Sequence, residues 1–302
     1  MRRAVRRRLH TTLVYGLLAV VTIATCFPLV WAALTSIRPT DEILTTRLVP
    51  SRATADHYAA LLSGRRLYFE AARATGAETT AYRPSSVPAQ HFLAWFANSV
   101  LVSVTTTMVS VAVSTLAAYS LTRFRFRGQA VVPYLSLLGY MVPSIIYVFP
   151  LFLLIVSLGL ADRLPSLVLG YLSITLPFCM WLMWAFLRSI PLEIEEAGLT
   201  DGASRFQVFR LIVLPLAVPG MIATSIFSFI VAWNDYLIAR IFINSVTQLP
   251  LTVGVMHFFE GVHVDWGLMM AAAVLMTLPL AILFTFVQRH LIVGFGAGAV
   301  KG

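Results

Sequence analysis

Long apolar stretches alternate with shorter polar ones along this chain of 302 residues, and six of them, at 13–34, 92–121, 130–160, 164–187, 211–243 and 267–291, dominate the pattern. At 1.5 Å per residue each is long enough for a helix to cross roughly 30 Å of hydrocarbon. Lipid offers no partner to backbone amides and carbonyls, so a continuous apolar run at this length reads as helix. The pattern predicts an all-α polytopic membrane protein with about six transmembrane helices. A composition of 59% hydrophobic and 12% charged residues agrees, because so little polar surface cannot clothe a water-soluble core.

Charge orients the spans. Arg2, Arg3, Arg6, Arg7 and Arg8 precede the first run, Arg123, Arg125 and Arg127 follow the second, and Arg188, Arg205 and Arg210 lie between the fourth and fifth. Basic flanks stay in the cytoplasm, and all three positions agree with cytoplasmic termini in a multi-pass membrane protein. The expected organisation is a basic N-terminus at 1–12, a first helix at 13–35, an extracytoplasmic loop at 36–91, a core of five helices at 92–291 with a cytoplasmic loop at 189–210, and a tail at 292–302. The outer loop also carries arginines, but it is long, so its vote counts little. Its mixed composition reads as a small subdomain or a partly ordered loop. The net charge of +9 belongs to membrane flanks, so it does not argue for nucleic acid. Cys26 and Cys179 fall inside predicted spans and imply no disulfide framework.

Several chemistries are excluded or unsupported. A phosphate-binding loop needs a Gly-Lys-Ser/Thr ending, and the sole lysine, Lys301, follows Val300 and precedes the last residue. Nucleotide-driven work must fall to another polypeptide. Gly294, Gly296 and Gly298 imitate a dinucleotide fingerprint without the strand before it or the helix after it. His257, Glu260, His263 and Asp265 lie between the fifth and sixth runs, but their spacing is not that of a zincin pair, and a polar outer loop explains them. No metal site and no enzyme activity are expected in this chain.

Two polar segments stand out. Between Arg188 and residue 211 the chain reads as helix, turn, helix: Pro191 suits a first turn, Glu193, Glu195 and Glu196 offset the positive end of a helix dipole, and Asp201-Gly202 signals a turn. Ser204 is a candidate N-cap for a second helix carrying Phe206, Phe209 and Val213, and Pro215 and Pro219 predict a kink or break where the fifth span begins. The small residues Ala197, Gly198, Gly202 and Ala203 suit close approach to a groove on a partner, with Glu196 and Asp201 at its rim. The second segment, Trp233-Asn234-Asp235-Tyr236, sits late in the fifth run. Asn234 and Asp235 can hold the hydroxyls of a polar solute and Trp233 or Tyr236 can stack on a ring; interfacial anchoring is the alternative. Ser103, Thr107, Ser110 and Ser114 share one face of the second span and suit either helix packing or a solute path.

Glu196-Ala197-Gly198, then Gly202, then Ile212-Val213-Leu214-Pro215 resembles the "EAA" coupling loop of bacterial binding-protein-dependent ABC importers, with Gly198 where the family usually has Ala. Ala118-Tyr119-Ser120-Leu121, Arg123 to Gly128, Trp233 to Tyr236, Leu249-Pro250-Leu251 and Gly298 to Gly302 are similar to the carbohydrate, maltose-type branch. The resemblance implies an ABC type I importer permease fold and ATP-driven import of a sugar of the disaccharide or oligosaccharide class. It implies coupling through Glu196, Ala197, Gly198, Asp201, Gly202, Ala203, Leu214 and Pro215, and a tail contact through Gly298, Val300 and Lys301. Implied partners are a second, different permease chain, two ATPase subunits that bind ATP and Mg, and an extracytoplasmic solute-binding protein. The rival reading is an ion-gradient-driven secondary transporter using Asp235.

Overall fold

The computed structural model describes residues 2–39, 42–43, 47–64, 89–259 and 266–296. Among these the chain is helical, without strands, and divides into two compact units, one of Met1–Leu93 with Val255–Leu278 and one of Ala94–Gly254 with Pro279–Gly302. Five helices are long and apolar enough to cross a membrane, and a bent helix pair makes a sixth if it counts as one span.

In the first unit, α1 (Arg2–Ser36) presents Leu13, Tyr15, Leu17 and Ile23 outward along its length. An apolar helix so exposed requires lipid or neighbouring helices to cover it. The segment after it is ordered around a short helix, α2 (Asp56–Ser63). The Ser36 hydroxyl meets the Tyr58 hydroxyl at 2.7 Å, His57 Nε2 bonds the Arg38 carbonyl at 2.9 Å, and the Arg38 guanidinium, over the Trp31 ring, donates to the carbonyls of Arg47 and Leu48. Part of the long polar segment is thus tied by buried polar contacts.

The second unit holds most of α3 (Phe92–Arg123), then α4 (Val132–Met141), α5 (Ser144–Ser157), α6 (Leu164–Arg188), α7 (Leu192–Thr200), α8 (Arg205–Val208), α9 (Leu214–Asn234), α10 (Leu237–Phe242) and α11 (Leu251–Gly254). The last helix, α12 (Trp266–Gly296), runs through the boundary between the units.

Two apolar runs differ from expectation. The third, 130–160, is not straight: α4 and α5 meet at 99° across Val142 and Pro143. Pro143 cannot donate to the ladder and forces Val142 into an extended conformation, with φ −71° and ψ 122°. The fifth, 211–243, is longer than one crossing needs; helix stops at Asn234, Asp235 is extended, and α10 restarts at Leu237.

The row on α3 faces inward. Ser103, Ser110 and Ser114 are fully buried, Ser110 Oγ lies 2.8 Å from Thr175 Oγ1 on α6, and Thr107 Oγ1 returns to its own helix at the Ser103 carbonyl. Small hydroxyl residues here serve close helix contact.

Candidate functional site: the elbow between α6 and α9

Helix α6 ends at Arg188, and after Pro191 the chain enters α7 with Glu193 and Glu195 in its first turn, where negative charge favours helix. The helix stops in a Schellman arrangement: the Gly202 amide donates to the Leu199 carbonyl at 3.1 Å and the Ala203 amide to the Gly198 carbonyl at 3.1 Å. Gly202 sits at φ +88° with no atom within 4 Å of where a Cβ would stand. Its need is therefore the left-handed backbone, not space. Ser204 then starts α8 with a full capping box, its amide donating to Gln207 Oε1 at 2.7 Å and its hydroxyl accepting from the Gln207 amide at 3.3 Å.

The predicted break before the fifth span is a widened turn instead. Phe209–Val213 forms a π-helical turn whose last bond runs from the Leu214 amide to the Phe209 carbonyl, and the helix continues through Pro215 and Pro219. One extra residue in the turn moves the carbonyls that Pro215 would otherwise strike.

Helix α7 is two-sided. Glu195 and Gly198 are buried; Glu196, Ala197, Asp201 and Gly202 are exposed, and Ala203 is half-buried. Gly198 fits because a methyl there would come within 2.6 Å of Ile212 Cδ1, so the isoleucine occupies the place of an alanine side chain. Beneath lies an apolar cluster of Ala118, Met183, Leu187, Ile190, Val208, Val213 and Ala217, which seats α3, α6, α8 and α9 against one another. Leu214 is half-buried and Pro215 exposed.

The sequence reading missed one feature of this site. Arg123, taken there as a basic flank and as the start of a family-like run but not as a partner of the elbow, places Nε 2.6 Å from Glu195 Oε1, with both side chains at most 7% exposed. Its Nη2 also donates to the carbonyls of Leu187 and Ile190, both at 3.3 Å. The available signal was Glu195 three residues before Gly198, which puts an acid on the packed face and demands a cation. A cavity of about 700 Å³ adjoins the elbow, with Arg188 stacked over the Trp184 ring on one wall and Glu193 also lining it.

At the other end of α9 the second polar segment is only partly presented. Trp233 is 2% exposed, stacked on Phe229 at 5.6 Å and met edge-on by Phe96 at 5.8 Å. Its ring is enclosed in this structure, so of the two candidate rings, Trp233 or Tyr236, only Tyr236 is exposed. Asp235 Oδ2 accepts the Ala239 amide at 3.2 Å, which caps α10, and the Asp235 carbonyl accepts the Thr252 hydroxyl at 2.7 Å. Asn234, whose amide donates to the Ile230 carbonyl, and Tyr236 are exposed. Nearby, Asp162, at φ +60°, accepts the amides of Asn244 and Ser245 at 2.8 Å each and the Ser245 hydroxyl. The Ser245 hydroxyl and these amides hold its carboxyl below the usual carboxylate range.

Gly298, Val300 and Lys301, and likewise Glu260, His263 and Asp265, lie outside the described residues. Among the described residues no three potential metal ligands gather.

An apolar helical bundle with a capped, acid-bearing elbow between two spans is the architecture of a membrane permease. The family described as binding-protein-dependent transport system inner membrane component matches residues 110–293, and the chain belongs to it. Among its relatives, the inner membrane ABC transporter permease protein YcjP of Escherichia coli K12 is 34% identical over 94% of both chains. The trehalose/maltose transport system permease protein MalG of Thermococcus litoralis is 31% identical over the full length of both. The trehalose transport system permease protein SugB of Mycobacterium tuberculosis is 31% identical over 91% of this chain and 92% of that one. A bacterial ABC transporter involved in the import of the acidic polysaccharide alginate shares the fold, with a TM-score of 0.73 and 21% identity over 93% of this chain and 96% of that one.

Proposed function

We propose that this chain is the permease subunit of an ATP-driven sugar importer and that its α7 elbow is where partner ATPases dock. The observation that carries the docking role is the two-sidedness of α7: Glu196, Ala197, Asp201 and Gly202 face outward from a base fixed by the Schellman cap, the capping box and a buried ion pair. Small exposed side chains let another protein's groove approach the backbone, and two carboxylates without a side-chain partner among the described residues give it charge to read. The sugar assignment draws on the relatives named for trehalose and maltose transport.

In this reading the elbow is cytoplasmic, both termini lie inside, and two ATPase subunits bind ATP and Mg. A second, different permease chain completes the pathway, an extracytoplasmic binding protein delivers solute, and the tail with Gly298, Val300 and Lys301 reaches the ATPases. The chain itself is not catalytic. ATP-bound and ATP-free partners would favour different positions of the elbow and so shift the helices between inward-open and outward-open states. Asn234 and Tyr236 are the groups of the far polar segment available to solute, with Trp233 and Asp235 holding them in place. The ion-gradient reading is not favoured, since the Asp235 carboxylate already serves a helix terminus.

Ala197→Trp tests docking without straining the backbone, because Ala197 is helical and exposed. The variant should insert and fold normally yet lose co-purifying ATPase and sugar uptake. Binding-protein-stimulated ATP hydrolysis at the normal rate would remove the docking role.

A further inference from the structure

The Arg123 guanidinium joins three elements at the foot of the bundle. One nitrogen holds Glu195 on α7, another spans the carbonyls of Leu187 and Ile190 where α6 ends, and the residue itself forms the last turn of α3. A planar fork can serve a carboxylate and carbonyls at once, which the single ammonium of lysine cannot do with the same geometry. The pair is 72 residues apart in sequence, so it is a tertiary tie and not a local helix contact.

The other side of the elbow is gripped by the same helix. One turn before Arg123, the Tyr119 ring lies 4.7 Å from Phe209, the first residue of the π-helical turn, and Ala118 packs into the cluster with Val208 and Val213. Helix α3 therefore contacts α7 by charge and the start of the fifth span by ring and methyl contact. Opening the ion pair would leave two side chains that are at most 7% exposed without their counter-charges, so it resists separation far more than a surface pair does.

We propose that the Arg123–Glu195 pair is a rigid joint that makes α3 move with the elbow, so that a displacement received at Glu196, Ala197 and Asp201 reaches α3 directly as well as α9. Arg123 and Glu195 are positioning residues in this scheme: neither touches nucleotide or solute. The proposal rests on the docking reading above.

The test uses the complete transporter reconstituted in liposomes, with spin labels at the exposed positions Phe124 and Thr200 and with sugar uptake and ATP hydrolysis measured together. The expected result is a label-to-label distance that is the same with and without ATP. Arg123→Gln should make that distance change with ATP and lower the sugar moved per ATP at least about fivefold, the lower end of ordinary coupling strengths. Arg123→Lys should fall between. Should Arg123→Gln fail to assemble, Glu195→Gln, close in shape and still able to accept a hydrogen bond, decides on the same two readouts. A distance that changes with ATP in the unsubstituted protein, or full coupling in Arg123→Gln and Glu195→Gln, overturns the joint. Ala197→Trp run beside them separates the two ideas: loss of ATPase stimulation there with full coupling in the Arg123 variants sinks the joint alone, whereas normal behaviour in Ala197→Trp sinks the docking role.

Discussion

Six carboxylates lie in the second unit, and the two ends of α6 and α9 treat them differently. At the elbow end Glu193, Glu196 and Asp201 are exposed without a side-chain partner among the described residues, and only Glu195 is paired. At the other end both acids are engaged with backbone amides, Asp162 across to Asn244 and Ser245 and Asp235 to Ala239. One end keeps charge available for another molecule; the other consumes it in holding the chain together. A polar residue within an apolar sequence is thus ambiguous until its partners are known, because burial with a partner and presentation to a partner leave the same mark.

The comparison breaks most sharply within two adjacent residues. Glu195→Leu strands the Arg123 charge in a buried site and should cost about 3–5 kcal/mol. Glu196→Leu, on the exposed face, should stay within about 0.5 kcal/mol. Thermal melting of the purified complex in detergent checks both, and equal losses would mean that α7 is not two-sided. A smaller contrast separates the ends of α9. Asp235→Ala removes a helix cap and should cost about 1 kcal/mol, with sugar uptake lowered only in step with the fall in melting temperature. Lost uptake at unchanged melting temperature would instead put Asp235 against the solute.

Local chemistry was legible because it is written in adjacent residues. Asp201-Gly202 announced the turn that ends α7, and Ser204 announced the cap of α8; both depend on contacts within a few positions. The membrane spans were legible as runs, but not their interruptions. Within lipid a helix is apolar on every side, so periodicity says nothing about where it bends, and the 99° corner at Val142 and Pro143 was hidden inside 130–160. The excess length of 211–243 over one bilayer crossing was a usable signal for the break at Asp235. The pairing of Arg123 with Glu195 and the enclosure of Trp233 by Phe96 were not legible, since both join residues far apart in sequence and only the packed structure chooses among possible partners.

The weakest of these contrasts concerns Asp162, whose carboxylate draws together the loop before α6 and the segment after α10. Its ionised form accepts the Ser245 hydroxyl and two amides, so its affinity for a proton is lower in the folded chain than in the unfolded one. A carboxyl with a depressed folded value contributes its stability above the unfolded value, near 3.9 for an aspartate, and loses it as the pH falls through the folded value. Asp162→Asn lacks this contribution. The melting temperature of the unsubstituted protein should therefore exceed that of the variant at neutral pH, with the gap narrowing once the pH falls below about 4 and on through the folded value. The group is close to solvent, so screening keeps the gap well below that expected for Glu195. A gap that stays constant to pH 3 would mean that the clasp is held by shape, with the Asp162 charge a bystander.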